Sequence, residues 1–142
     1  MKLDLNDITF IIVTYQSENI VKNCLDSLPK VSKKIIIENS NDINLEKDLR
    51  SKYDNIEVIL SNNIGMGAGN NIGLKECKTN YAYVLNPDTK LKKDTLLKSS
   101  RLILLSILYS IFSSHANSTT RLSLKIFSNN FAIDTVINGS IN

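Results

Sequence analysis

Several things are scarce in this chain of 142 residues, and each scarcity removes a class of protein. There are two cysteines, Cys24 and Cys77. That is too few for a disulfide scaffold, and a reducing compartment, the cytoplasm, is the simpler expectation. The single histidine, His115, stands among serines and asparagines, where a surface loop is the plain reading. The apolar stretch over residues 102–112 (LILLSILYSIF) has 11 residues, short of the roughly 20 that a membrane-spanning helix needs. It reads as a core helix, with an interfacial segment edged by Arg101 as the alternative. The first residues alternate charged and apolar side chains without a small-residue cleavage site, so no secretory signal is expected. The acceptor patterns for glycosylation at Asn117 and Asn138 are discounted for the same reason. Acids are missing from residues 95–133, and nine of those 39 positions are serine.

The rest is ordinary for one globular domain. Apolar residues make up 42% and charged residues 22%, which excludes a collagen-like, disordered or membrane-embedded chain. Residues 1–94 hold 13 acidic and 13 basic side chains. The net charge of +3 therefore lies in the last third, on Lys98, Arg101, Arg121 and Lys125 against Asp134. That excess is dilute and has no interleaved aromatics, so no nucleic-acid partner is expected.

The first two-thirds alternate between two patterns. ITFIIVT over residues 8–14 is a β-branched apolar run, suited to a strand buried on both faces. Ser17 is placed to cap a helix whose stripe is Ile20, Val21, Cys24, Leu25 and Leu28, and Pro29 stops it. Residues 35–37 make a second strand, followed by the polar turn Glu38-Asn39-Ser40-Asn41-Asp42, and a short helix is expected over 45–53. Residues 56–60 make a third strand. A glycine-rich stretch over 63–73 then runs into a helix through Leu74 and Cys77. Residues 81–85 make a fourth strand, ended by Asn86-Pro87-Asp88, and there Tyr81 and Tyr83 are ordinary strand residues. This order predicts an α/β fold, an open and mostly parallel sheet flanked by helices with right-handed crossovers. Ligands of such sheets lie beyond the carboxyl ends of the strands, and the polar clusters fall at those four ends.

Two clusters carry candidate chemistry. Glycines stand at 65, 67, 69 and 73, but the sixth position from Gly65 is Asn70 and from Gly67 is Ile72. The dinucleotide fingerprint therefore fails, and with no Gly-Lys-Ser/Thr the phosphate loop fails too. A helix starting here would aim free N–H groups at the rim, which suits phosphate; a helix entry without a ligand is the alternative. Asn86-Pro87-Asp88-Thr89 puts a carboxylate just past a strand end, behind a stiff proline. Such a carboxylate can share Mg²⁺ or Mn²⁺ with a diphosphate. A turn that merely caps the strand is the alternative.

Together, Val13-Thr14-Tyr15-Gln16-Ser17, the segment from Ile36 through Glu38 to Asp42, the glycine segment from Asn63 to Gly73 and Leu85-Asn86-Pro87-Asp88-Thr89 resemble the family-2 glycosyltransferases of GT-A (Rossmann-like) fold. The rhamnosyltransferase-like branch that builds cell-surface polysaccharides is the nearest in look. The resemblance implies inverting transfer of a sugar from a nucleotide-diphosphate donor, a UDP or dTDP sugar, to a saccharide or lipid-linked acceptor. It also implies a divalent metal and a place in the cytoplasm, with possible peripheral association at the inner face of the plasma membrane. Carried over residue by residue, Thr14 and Tyr15 line the base, and Glu38, where aspartate is usual, hydrogen-bonds it. Asn63, Gly67, Asn70 and Asn71 touch the nucleotide-sugar, Asn70 standing where many relatives carry arginine. Asn86 and Asp88 occupy the ends of the D-x-D triplet, which leaves Asp88 as the metal ligand.

The resemblance fades beyond residue 97 and returns faintly over Ile133-Asp134-Thr135-Val136 and the Asn138-Gly139-Ser140 that follows. Residues 1–97 are therefore expected to form the donor-binding half of the domain. Residues 98–142 would be a diverged start of the acceptor half, incomplete at the C-terminus, with 98–132 diverged or out of frame. Relatives carry a Glu-Asp-x-Asp-type segment with the general base that inverting transfer requires. Here that base is expected beyond residue 142, Asp134 reads as structural, and the chain is expected to be inactive or weak. Two rivals stand beside this reading: a non-catalytic module that binds a nucleoside diphosphate, and a Rossmann-type NAD-binding domain, against which the failed fingerprint argues.

Overall fold

The computed structural model describes residues 4–92, 95–96, 123–128 and 131–136. The apolar run over 102–112, His115, Asn117 and Asn138 lie outside the described residues. Strand β1 (Ile8–Thr14) is buried along its whole length. Then come α1 (Glu18–Asp26), β2 (Lys33–Glu38), α2 (Ile43–Lys52), β3 (Ile56–Leu60), α3 (Met66–Glu76) and β4 (Tyr81–Leu85). Strands β5 (Ser123–Ser128) and β6 (Phe131–Val136) pair antiparallel as a two-stranded sheet, and β6 approaches β4.

The main sheet has the order β3-β2-β1-β4 and is parallel throughout. Side chains along β1 alternate between two cores, as the twofold period of a strand requires. Phe10 and Ile12 face Val21, Cys24 and Leu25 of α1 and Leu45 and Leu49 of α2. Ile11 and Val13 face the other layer with Ile35 and Ile37, against Ile72 and Leu74 of α3. The ring of Phe10 lies 5.6 Å from that of Tyr83 on the neighbouring strand, tilted by 47°. Crossovers of one hand that run in opposite directions must use opposite faces of a sheet. The chain steps from β1 through β2 to β3 under α1 and α2, then returns past β1 to β4 over α3. That reversal puts a topological switch point between β1 and β4, the place where open α/β sheets bind ligands.

Helix α3 comes close to β1 because two of its glycines let it. A Cβ at Gly73 would stand 2.3 Å from Ile11 Cγ2, and one at Gly69 would stand 2.9 Å from Val13 Cγ2. Those two glycines serve helix-on-strand packing. On the outer side, β3 is an edge strand, and its Val58 carbonyl accepts from Arg50 of α2 at 2.9 Å.

Three local expectations are corrected. Ser17 occupies the N-cap of α1, but its hydroxyl donates to the Tyr15 carbonyl (2.6 Å) and makes no cap bond. Ile20 is exposed, because α1 turns only Val21, Cys24 and Leu25 inward. Helix α2 starts at Ile43, earlier than its apolar stripe suggests, because the Asp42 carboxylate accepts from the N–H groups of Asn44 (2.9 Å) and Leu45 (3.1 Å).

Candidate functional site

The loops leaving β1, β2 and β3 are tied together through their backbones. Asn39 N–H donates to the Thr14 carbonyl (2.8 Å), Ser61 N–H to that of Glu38 (2.9 Å) and Asn63 N–H to that of Asn39 (2.6 Å). Each loop then turns through a left-handed residue: Gln16 (φ 47°), Asn41 (φ 56°) and Asn63 (φ 38°). Such non-glycine conformations cost roughly 1–3 kcal/mol each and collect where a surrounding network holds them, often at binding sites. Gly65, at φ 82°, completes the entry into α3.

Glu38 sits at the centre of this network with no exposed surface. One carboxylate oxygen accepts from the Ser40 N–H (3.1 Å) and from the Ser40 hydroxyl, the other from the Asp42 N–H (2.6 Å). Ser40 Oγ in turn accepts from the Gln16 N–H (3.2 Å), so the β1 and β2 loops share one hydroxyl. The residue expected at the base therefore faces its own loop.

Beyond β4, Asn86-Pro87-Asp88-Thr89 forms a tight turn, closed by Thr89 N–H donating to the Asn86 carbonyl (3.1 Å). Asn86 and Asp88 are exposed, and among the described residues the Asp88 carboxylate accepts no hydrogen bond. The turn rests on α1. The buried Cys24 thiol points to the Asn86 carbonyl (3.9 Å), and Ser27 Oγ accepts from the Leu91 N–H (2.9 Å). Burial pushes the Cys24 thiol up to about 12, with the Asp88 carboxylate adding to the rise, so the sulfur stays protonated and is no nucleophile.

The other expected residues surround the same rim. Tyr15, Asn63, Gly67 and Asn71 are exposed, Asn70 is half-buried, and a Cβ at Gly67 would meet open space. Thr14 and Asn39 end adjacent strands at 1% and 2% exposure, and Thr14 Oγ1 and Asn39 Oδ1 find no hydrogen-bond partner among the described residues. In the sequence Asn39 reads only as one polar residue in a polar turn. From its stripe Cys24 reads as core alone, which gives no hint of the turn above it. A groove of about 690 Å³ opens at the opposite, amino-end rim among Lys33, Arg50, Tyr53, Asn55 and Glu57. Its charges are already paired, Lys33 with Glu57 (3.0 Å) and Arg50 with Glu46 (2.9 Å).

No group of three or more His, Cys, Asp or Glu side chains gathers among the described residues. The donor set at the rim is one exposed carboxylate, Asp88, beside the Asn86 amide. That suits a hard divalent ion which keeps waters and takes its remaining oxygens from a diphosphate. It does not suit an ion caged by protein alone.

A parallel sheet whose polar strand ends converge at its switch point is an open α/β domain of the kind that takes ligands at its carboxyl rim. More particularly, the chain belongs to glycosyl transferase family 2, whose family model matches residues 9–103. It is 32% identical over 97 residues to the low-salt glycan biosynthesis hexosyltransferase Agl10 of Haloferax volcanii, covering 65% of this chain and 31% of that protein. It is 32% identical over 102 residues to a poly(ribitol-phosphate) beta-glucosyltransferase of Bacillus spizizenii, covering 64% of this chain and 16% of that one. The crystal structure of S. aureus TarS 1–349 in complex with UDP-GlcNAc superposes with a TM-score of 0.56 at 25% identity, over 68% of this chain and 30% of that one. The chain thus spans about a third or less of each of these three relatives. Among the described residues no helix is long and apolar enough to cross a membrane.

Proposed function

We propose that this chain forms the donor-binding half of an inverting glycosyltransferase. It holds a UDP or dTDP sugar at the carboxyl rim, for transfer to a saccharide or lipid-linked acceptor in cell-surface polysaccharide synthesis. The observation that carries this reading is Asp88, an exposed carboxylate that accepts no hydrogen bond among the described residues, on a tight turn beside the β1/β4 switch point. The solved complex of TarS with UDP-GlcNAc supports a uridine donor.

In this reading Thr14, Tyr15 and Asn39 face the base, Asn63, Gly67, Asn70 and Asn71 border the nucleoside and sugar, and Asn86 and Asp88 take the diphosphate end. A bound Mg²⁺ or Mn²⁺ would be held by Asp88 and would neutralise charge gathering on the departing diphosphate. A buried acceptor without a donor costs about 1–3 kcal/mol. Among the described residues Asn39 Oδ1 is such an atom, and the ring N–H of uracil or thymine offers the missing donor. Cytosine has no N–H at that ring position, so CDP is expected to bind more weakly than UDP.

Titration calorimetry with UDP and Mn²⁺ tests the assignment. Asp88→Ala is expected to weaken binding by more than about tenfold, or 1.4 kcal/mol, and to remove its dependence on metal, while Asn86→Ala weakens it less. Equal affinity of Asp88→Ala and wild type sinks the reading. A non-catalytic module would bind UDP in the same way but release no sugar from the donor, so a donor-hydrolysis assay separates that alternative.

A further inference from the structure

We propose that Glu38 is a positioning residue: its buried carboxylate shapes the nucleotide site from beneath without touching the nucleotide. The inference rests on the proposed nucleotide site, but its own observations are geometric. Glu38 is fully buried, and both carboxylate oxygens are occupied within residues 38–42. Among the described residues it has no cationic partner. A carboxylate buried without a counter-ion is stabilised by donors alone, and backbone N–H groups are the donors it has recruited.

What those bonds fix is the rim. The Asp42 N–H held by Glu38 belongs to the residue whose side chain caps α2, so the carboxylate sets both the entry of α2 and the left-handed turn at Asn41. The Ser40 hydroxyl it accepts from is the acceptor for the Gln16 N–H, so the same carboxylate steadies the loop after β1. The Glu38 carbonyl accepts from Ser61, and the adjacent Asn39 carbonyl from Asn63, which ties in the loop after β3. The carboxylate thus organises two of the four loops that border the site, and the backbone of residues 38 and 39 ties in a third. Chain length matters as much as charge. The carboxylate must reach both Ser40 and Asp42 at once, and an aspartate side chain is one methylene shorter.

Glu38→Gln and Glu38→Asp separate this role from a direct contact with the base. In Glu38→Gln the amide nitrogen cannot accept from Asp42 N–H. Both variants should lose hydrogen-exchange protection at the Ser40 and Asp42 amides and bind UDP with Mn²⁺ at least about tenfold more weakly, the scale of one charge-assisted hydrogen bond. A contact with the base predicts another pattern: Glu38→Asp, the residue usual in the resembling family, keeps its affinity, and both amides stay protected in either variant. That pattern overturns the proposal, as does UDP affinity within about twofold of wild type in Glu38→Gln. Should Glu38→Gln fail to fold, Ser40→Ala tests the relay alone. Faster exchange at the Gln16 amide with weaker UDP binding upholds the proposal, and no change in either overturns it. Wild-type protein that does not bind UDP would count against the nucleotide site, and amide protection in the variants would still judge the brace.

Discussion

Cys24 lies buried under the turn that carries Asp88, and its thiol has consequences for stability against pH. The folded protein holds that proton up to about 12, whereas the unfolded chain releases it near the ordinary thiol value of 9.0. Below pH 9 the thiol therefore costs nothing. As pH rises from 9 towards 12 the unfolded state ionises first and stability is lost. Urea unfolding of wild type and Cys24→Ala across pH 7–11 should show a constant difference up to about 9, shrinking above it. A gap that stays level would mean the thiol titrates normally in the fold. Tyr53, raised by burial, and Lys34, lowered by burial, also titrate there, and the paired comparison removes them. The sequence showed Cys24 as part of an apolar stripe, and Glu38 as an acid at a strand end. Neither reading could reveal the side chain's partner, because partners that fold back from Ser40 and Asp42, or lie across on Asn86, are fixed only by tertiary structure.

Helix α3 carries the clearest element-level test. Gly73→Ala forces a methyl against Ile11, where a new Cβ would stand 2.3 Å from Cγ2. Overpacking of that kind costs about 1–3 kcal/mol. Gly67→Ala enters open space at an ordinary backbone angle and should gain roughly 0.5–1 kcal/mol, since glycine weakens a helix. Denaturant midpoints of the two variants should move in opposite directions. In sequence all four glycines look alike, because glycine marks a turn, a ligand approach or a tight helix contact with the same letter. Only the packing of 69 and 73 on β1 sorts them. Strands β1, β3 and β4 were legible to the residue, since each is a short apolar run bounded by polar side chains. The start of α2 was not, because Asp42 caps it and a cap lies outside the apolar period.

At the scale of the whole molecule, the alternation of strands and helices was enough for the fold class, but the strand order was not written in it. The site depends on that order: only when β4 lands beside β1 do Asp88 and the loop after Thr14 share one rim. Both apolar cores of the sheet lie between Leu5 and Leu96 among the described residues. A chain ending at residue 97 is therefore expected to melt cooperatively, monitored by circular dichroism, and to bind UDP as the full chain does. A broad, non-cooperative melt would place part of the core in the residues removed. The two margins of the sheet are unequal. On the β3 margin Arg50 already occupies the Val58 carbonyl, whereas β6 approaches the β4 margin. A group that docks along the β4 flank therefore lands next to the Asp88 carboxylate without having to be brought around the sheet.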